Sequence, residues 1–144
     1  MKYALILVSF ISVFLFNKYL INKVDQIEPV YQIDTEELLD IVQEWRVDNN
    51  YPPYLNSDKL CQVAEKRLNE VDTDWSHNGF YDEVSICGDE LCTLGENLAK
   101  NYVSEKEILA AWLNSHLHKD NLVDDFEYTC IRSDGRLVVQ IFGF

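Results

Sequence analysis

Apolar positions change period several times along the chain, and each change marks an element. The run Tyr3 to Phe16, YALILVSFISVFLF, follows Lys2, carries no charge and has no polar face. That is the layout of a signal peptide's n-region and h-region. No small-x-small pair follows it, and Asn17-Lys18-Tyr19-Leu20-Ile21 continues with bulky residues, which favours a retained anchor over cleavage. A spanning helix needs about 20 apolar residues, which Tyr3 to Ile21 supplies if Lys18 snorkels to the interface. Residues 1–21 are therefore assigned to a signal peptide or N-terminal membrane anchor. Residues 22–33, mixed and containing Pro29, are assigned to a tether, and residues 34–144 to one folded domain.

Within the domain, Asp34 and Glu37 form a capping pattern, with Ile33 placed to staple against Leu38. Leu38, Ile41, Val42 and Trp45 then share a helix face, which ends at Asn49-Asn50-Tyr51-Pro52-Pro53. A second helix starts at Asn56 or Ser57 and places Leu60, Val63, Ala64, Leu68 and Val71 on its apolar stripe. Glu65, Lys66 and Glu70 face water, and Cys61 lies at the edge of the stripe. Asp72 to Leu94 shows no period and is expected to be irregular.

A third helix opens with the capping box Ser104 and Glu107 and the staple pair Val103 and Ile108. It carries Ile108, Ala111, Trp112 and Ser115 on one side. After a short polar stretch, Phe126, Tyr128 and Cys130 alternate with Glu127 and Thr129, and a turn at Ser133-Asp134-Gly135 leads into Leu137 to Phe142. Helices first, a strand near Glu96 and a terminal β-hairpin predict an α+β domain, an antiparallel sheet covered by helices.

Charge changes the picture of the partners. Lys2, Lys18 and Lys23 balance Asp25, Glu28 and Asp34, so the whole net charge of −13 falls on the rest of the 144 residues. A surface that acidic repels phosphate backbones and anionic lipid, and nucleic acid is excluded as a partner. Four cysteines, Cys61, Cys87, Cys92 and Cys130, form an even set that export would allow to oxidise. Cys87-Gly-Asp-Glu-Leu-Cys92 suits a local staple, leaving Cys61 to meet Cys130. Two other pairings, free thiols and a metal site stay open, although the four-residue spacer departs from the two-residue zinc knuckle.

Candidate chemistry is sparse. The three histidines, His77, His116 and His118, stand beside polar or small residues, where each serves as readily in a solvated loop as in a site. Glu96, in Gly95-Glu96-Asn97-Leu98, shares a strand face with Leu98, so its carboxylate needs a partner.

Taken together, five segments resemble the CAP or SCP-like superfamily, named for cysteine-rich secretory proteins, antigen 5 and pathogenesis-related 1 proteins. They are Leu60-x-x-x-Ala64-x-x-Arg67, Ser76-His77-x-Gly79, Gly95-Glu96-Asn97-Leu98-Ala99, Trp112-x-x-Ser115-x-x-His118-Lys119-x-Asn121-Leu122 and Val139-Gln140-x-Phe142, in family order over about residues 36 to 144. The resemblance implies a three-layer α-β-α sandwich with a central polar cavity lined by two histidines and two acidic residues. Matching positions carry His77, Glu96 and His118. Ser115 stands where many eukaryotic relatives have a glutamate, as bacterial members often do, and His116-Leu117 replaces the usual Pro-Gly before the histidine.

The missing carboxylate weakens the case for zinc, the one cofactor the set His77, Glu96 and His118 would suit, unless water or other acidic groups fill the gap. His116 would be a further ligand, but residues two apart on a helix do not face one another. The resulting expectation is an extracellular or cell-surface module, secreted or anchored to the membrane by its N-terminus, that binds an unidentified ligand (lipid, peptide or cell-wall fragment) without turnover. Two alternatives compete with it. One is a hydrolase using His77 or His118 as base and Glu96 as orienter, metal-assisted or with Ser115 as nucleophile. The other is a structural interaction domain whose histidines and glutamate satisfy buried hydrogen bonds.

Overall fold

Asp34 opens α1, Thr35–Asp48, in extended conformation, and its Oδ1 accepts from the Glu36 and Glu37 amides at 2.9 and 3.2 Å. The computed structural model describes residues 31–80 and 93–144. The segments assigned above to anchor and tether up to residue 30, and the Cys87–Cys92 staple, lie outside the described residues. Among the described residues no helix is long and apolar enough to cross a membrane.

The return bond expected from Glu37 to the cap is made by a distant residue instead. The Asp34 amide donates to Glu105 Oε1 at 2.8 Å, and the Tyr31 hydroxyl donates to Glu105 Oε2 at 2.8 Å. Leu38 and Val42 are fully buried, but the third member of their i, i+4 stripe is Arg46, while Ile41 and Trp45 sit half-buried at its margins. Arg46 is buried because carbonyls and an aromatic face replace its water. It donates to Pro52 O at 2.8 Å and Leu122 O at 2.6 Å, and stands 3.7 Å from the Tyr54 ring centroid. Burial lowers its pKa, and the neighbouring Tyr54 works against that shift.

The short strand β1, Leu55–Asn56, leads to α2, Asp58–Thr73, capped by Ser57 at the Leu60 amide. The helix runs through the start of the stretch expected to be irregular, and a new helical turn begins at Asn78. Strand β2, Thr93–Lys100, carries Glu96. Helix α3, Glu105–Asn114, has its capping box shifted by one residue on the return side. Ser104 Oγ accepts from the Glu107 amide, but Glu107 Oε2 accepts from the Val103 amide. Val103 is 62% exposed, so the staple with buried Ile108 does not form.

Where a short polar stretch was expected the chain builds a further helix, α4, His116–Val123. Ser115, with ψ 120°, breaks α3 from α4, and only Leu122 of α4 is buried, so the segment carries no apolar stripe for a periodicity argument to find. Strands β3, Tyr128–Ser133, and β4, Leu137–Gly143, form the terminal hairpin. Asp134 Oδ1 accepts from the Arg136 and Leu137 amides in its turn, and Gly135 takes φ +89°, a conformation a side chain would strain.

The sheet order is β1-β3-β4-β2. β2–β4 and β3–β4 are antiparallel, but β1 joins β3 in parallel, so the sheet is mixed rather than wholly antiparallel. Alternation sends Leu98, Cys130, Leu137, Val139 and Ile141 to one face, against Leu60, Ala64, Leu68 and Val71 of α2. Ala99, Ile131, Val138 and Phe142 face the other way, against Leu38, Val42, Ile108, Trp112 and Leu122 of α1, α3 and α4. This is the three-layer α-β-α sandwich. A disulfide, Cys61–Cys130, ties α2 to β3.

Candidate functional site

Strand alternation points Glu96 at the α2 layer, where Arg67 rises from the helix to meet it. Arg67 Nε donates to Glu96 Oε2 at 2.7 Å and Nη2 donates to Oε1 at 3.3 Å, with both side chains 1% exposed. Such a pair survives burial only when its remaining donors are satisfied. Here Nη1 bonds Glu70 Oε2, and Nη2 also donates to Ser76 O at 2.9 Å. Burial pulls the Arg67 pKa down, but the hydrogen bonds and charges of Glu96 and Glu70 outweigh it and the net shift is upward. Glu70, expected to face water, is thus part of the network.

The Ser76 contact fixes the turn that delivers His77, whose Nδ1 lies 2.7 Å from Glu96 Oε1. Gly79 makes the arrangement possible, because a Cβ there would land on Arg67 Nη1.

The opposite wall comes from α4. Asn97, fully buried, donates to His118 O at 3.1 Å, and Asn121 Nδ2 donates to both Asn97 Oδ1 at 2.9 Å and Glu96 O at 3.1 Å. Trp112 Nε1 donates to Leu98 O at 3.1 Å. Two side chains from the helical layer therefore occupy carbonyls of β2, which lies at the end of the sheet order, and so protect it as an edge. Gly95 lets the strand approach this layer, since a Cβ there would sit 3.0 Å from both Asn121 Oδ1 and the Phe126 ring.

The result is a cleft of about 420 Å³ lined by His77, Phe80, Gly95, Glu96, Ser115, Leu117, His118, Asp120 and Asn121. The four candidate residues thus share one cleft. His77 and His118 face each other with ring centroids 6.4 Å apart. His118 is half-buried, and among the described residues its ring makes no hydrogen bond. Burial, then the neighbouring His77, lowers its pKa. Ser115 caps α4 through its backbone alone, and among the described residues its hydroxyl makes no hydrogen bond. His116 points away, 88% exposed beside Asp120.

Among the described residues Glu96 is not free to serve a zinc ion. A Glu96 ligand would have to leave the buried guanidinium, which strands two charges, and the remaining pair of imidazoles falls short of the three protein ligands a catalytic zinc site keeps. Among the described residues no three His, Cys, Asp or Glu side chains are grouped to hold a metal ion. Arg67, Asn97 and Asn121 were given no role from sequence. Each stood inside a quoted motif, and a buried polar residue at fixed distance from Glu96 or His118 was the signal that could have found them.

No protein-family model and no curated protein matches the sequence. Solved structures do. A cysteine-rich secretory protein of Staphylococcus aureus superposes with TM-score 0.63 at 16% identity, covering 76% of this chain and 38% of its own. An extracellular protein containing a SCP domain from Bacillus anthracis gives TM-score 0.62 at 19% identity, covering 75% and 39%. An outer surface protein of Borrelia burgdorferi gives 0.58 at 23% identity, covering 78% of this chain and 96% of its own. The chain therefore spans about two fifths of the length of the first two. At these identities the likeness is one of fold: the described residues share the fold of these three structures, which the Bacillus anthracis protein carries as its SCP domain.

Proposed function

We propose that the chain is an extracytoplasmic CAP-type module that binds a ligand in the cleft between His77 and His118 and does not turn it over. The observation that carries this reading is the state of the cleft's buried carboxylate. Glu96 is held by Arg67 and His77, so it orients a ring and leaves no free acid. The Ser115 hydroxyl has no base within hydrogen-bond reach among the described residues, whereas a nucleophile-base pair requires that contact. The cleft instead offers imidazole edges, a hydroxyl and the apolar surfaces of Phe80 and Leu117. Placement outside the cytoplasm is supported by the Tyr3–Phe16 run and by the secretory, extracellular and outer-surface descriptions of the three structural neighbours.

Calorimetry with zinc chloride, palmitate, a dipeptide and a muramyl peptide tests this reading. One organic class binds the wild type, and His118→Ala weakens that binding tenfold or more. Hydrolysis of a chromogenic ester or peptide that disappears in His77→Ala would replace binding with catalysis. Loss of stability in His77→Ala with no binding by the wild type would leave a structural domain.

A further inference from the structure

We propose that Arg67 is the positioning residue of this cleft: through Glu96 it holds His77 in the tautomer protonated on Nδ1, so that a bare Nε2 faces the cleft and selects ligands that bring a hydrogen-bond donor. The inference rests on the binding reading above. It starts from donors and acceptors. A carboxylate offers only lone pairs, so a hydrogen bond between Glu96 Oε1 and His77 Nδ1 needs the proton on the ring. The guanidinium keeps the acid in that role, gripping both oxygens of Glu96 as a fork.

The same guanidinium holds Ser76 O, the carbonyl just before His77, so one side chain fixes both the carboxylate and the backbone that presents the ring. Arg67 and Glu96 are 1% exposed and His77 is 45% exposed, so a buried charge pair sets the face of an accessible imidazole. The ring edge opposite Nδ1 carries Nε2, which has no partner among the described residues. The Ser115 hydroxyl adds an acceptor to the same cleft, Asp120, whose Oδ2 pairs with His116, also lines it, and the chain's net charge is −13. An acceptor-rich, acidic cleft takes an amine- or hydroxyl-bearing molecule, and an acceptor-only anion is disfavoured.

Long-range proton–nitrogen NMR of the full chain labelled with ¹⁵N-histidine reads the tautomer without any ligand. At a pH high enough for the ring to be neutral, wild-type His77 shows a protonated Nδ1 and a bare Nε2. Arg67→Lys keeps a charge but loses the fork, and Arg67→Met loses both; each turns the single form into a mixture containing Nε2–H. A neutral wild-type His77 protonated on Nε2 and bare at Nδ1 overturns the proposal by itself, whether or not the variants fold. So does an unchanged tautomer in a folded Arg67→Lys, which would mean that Glu96 suffices alone. Ethanolamine, a donor probe, is expected to shift the His77 Nε2 resonance where acetate at equal ionic strength does not. A shift from acetate alone, or from neither, removes the ligand class. A correct tautomer in a protein that binds nothing sinks the binding reading and leaves the role of Arg67 standing.

Discussion

Gly79 has no room for a side chain, and the reason lies on the preceding helix. A methyl group there would displace the Arg67 guanidinium, which has nowhere to go because Glu96, Glu70 and Ser76 O surround it. Gly79→Ala is expected to lower stability by about 1–3 kcal/mol, the scale of a buried hydrogen-bonding group left unsatisfied, as measured by urea unfolding. His118 supplies a pH dependence. Its folded pKa is lowered, so the unfolded chain takes up the proton first, and stability falls as pH drops through the unfolded value near 6.5 and levels off below the folded pKa. His118→Gln should flatten that limb of a melting-temperature profile between pH 8 and 5. At this scale the sequence was legible for residue types with a named chemistry: His77, Glu96, Ser115 and His118 meet at one cleft. It was not legible for Arg67, because an arginine on a helix reads as solvated until its burial is known.

Helix α1 shows what periodicity reveals and what it hides. Its apolar stripe was readable, but so was a second line: Glu36, Asp40, Glu44 and Asp48 repeat every four residues and all are exposed. Like charges at that spacing cost roughly 0.2–0.5 kcal/mol per pair. Asp40→Lys, between Glu36 and Glu44, is expected to raise stability by about 1 kcal/mol at low salt and by little at 1 M salt, as read by parallel urea titrations. The cap of α1 was visible in Asp34, whereas its second half, Glu105, is a contact across 71 residues that no local motif can encode. Burial raises the Glu105 pKa, but the Asp34 amide, its own amide and the Tyr31 hydroxyl outweigh it, and the net shift is downward. The α3–α4 break was missed because α4 buries one residue and offers no stripe.

Among the described residues one covalent bond joins two layers. Cys61 and Cys130 are 69 residues apart in sequence, so their disulfide removes a long loop from the unfolded ensemble. Cys61→Ser with Cys130→Ser is expected to cost about 3–4 kcal/mol, seen as a lower midpoint in urea unfolding under non-reducing conditions. Sequence alone determined the class of element in most segments, because hydrophobic period, capping residues and turn chemistry are local and act within a few positions. It also determined the net charge of −13 and the order of motifs that resembles the CAP fold. Tertiary structure decided the rest. It decided that β1 adds in parallel, that Glu96 pairs with the buried Arg67, and that Asn97 and Asn121 bolt α4 to the strand. Those outcomes depend on which buried polar groups find partners across layers, a condition set by distance in space and satisfied only once the sandwich has closed.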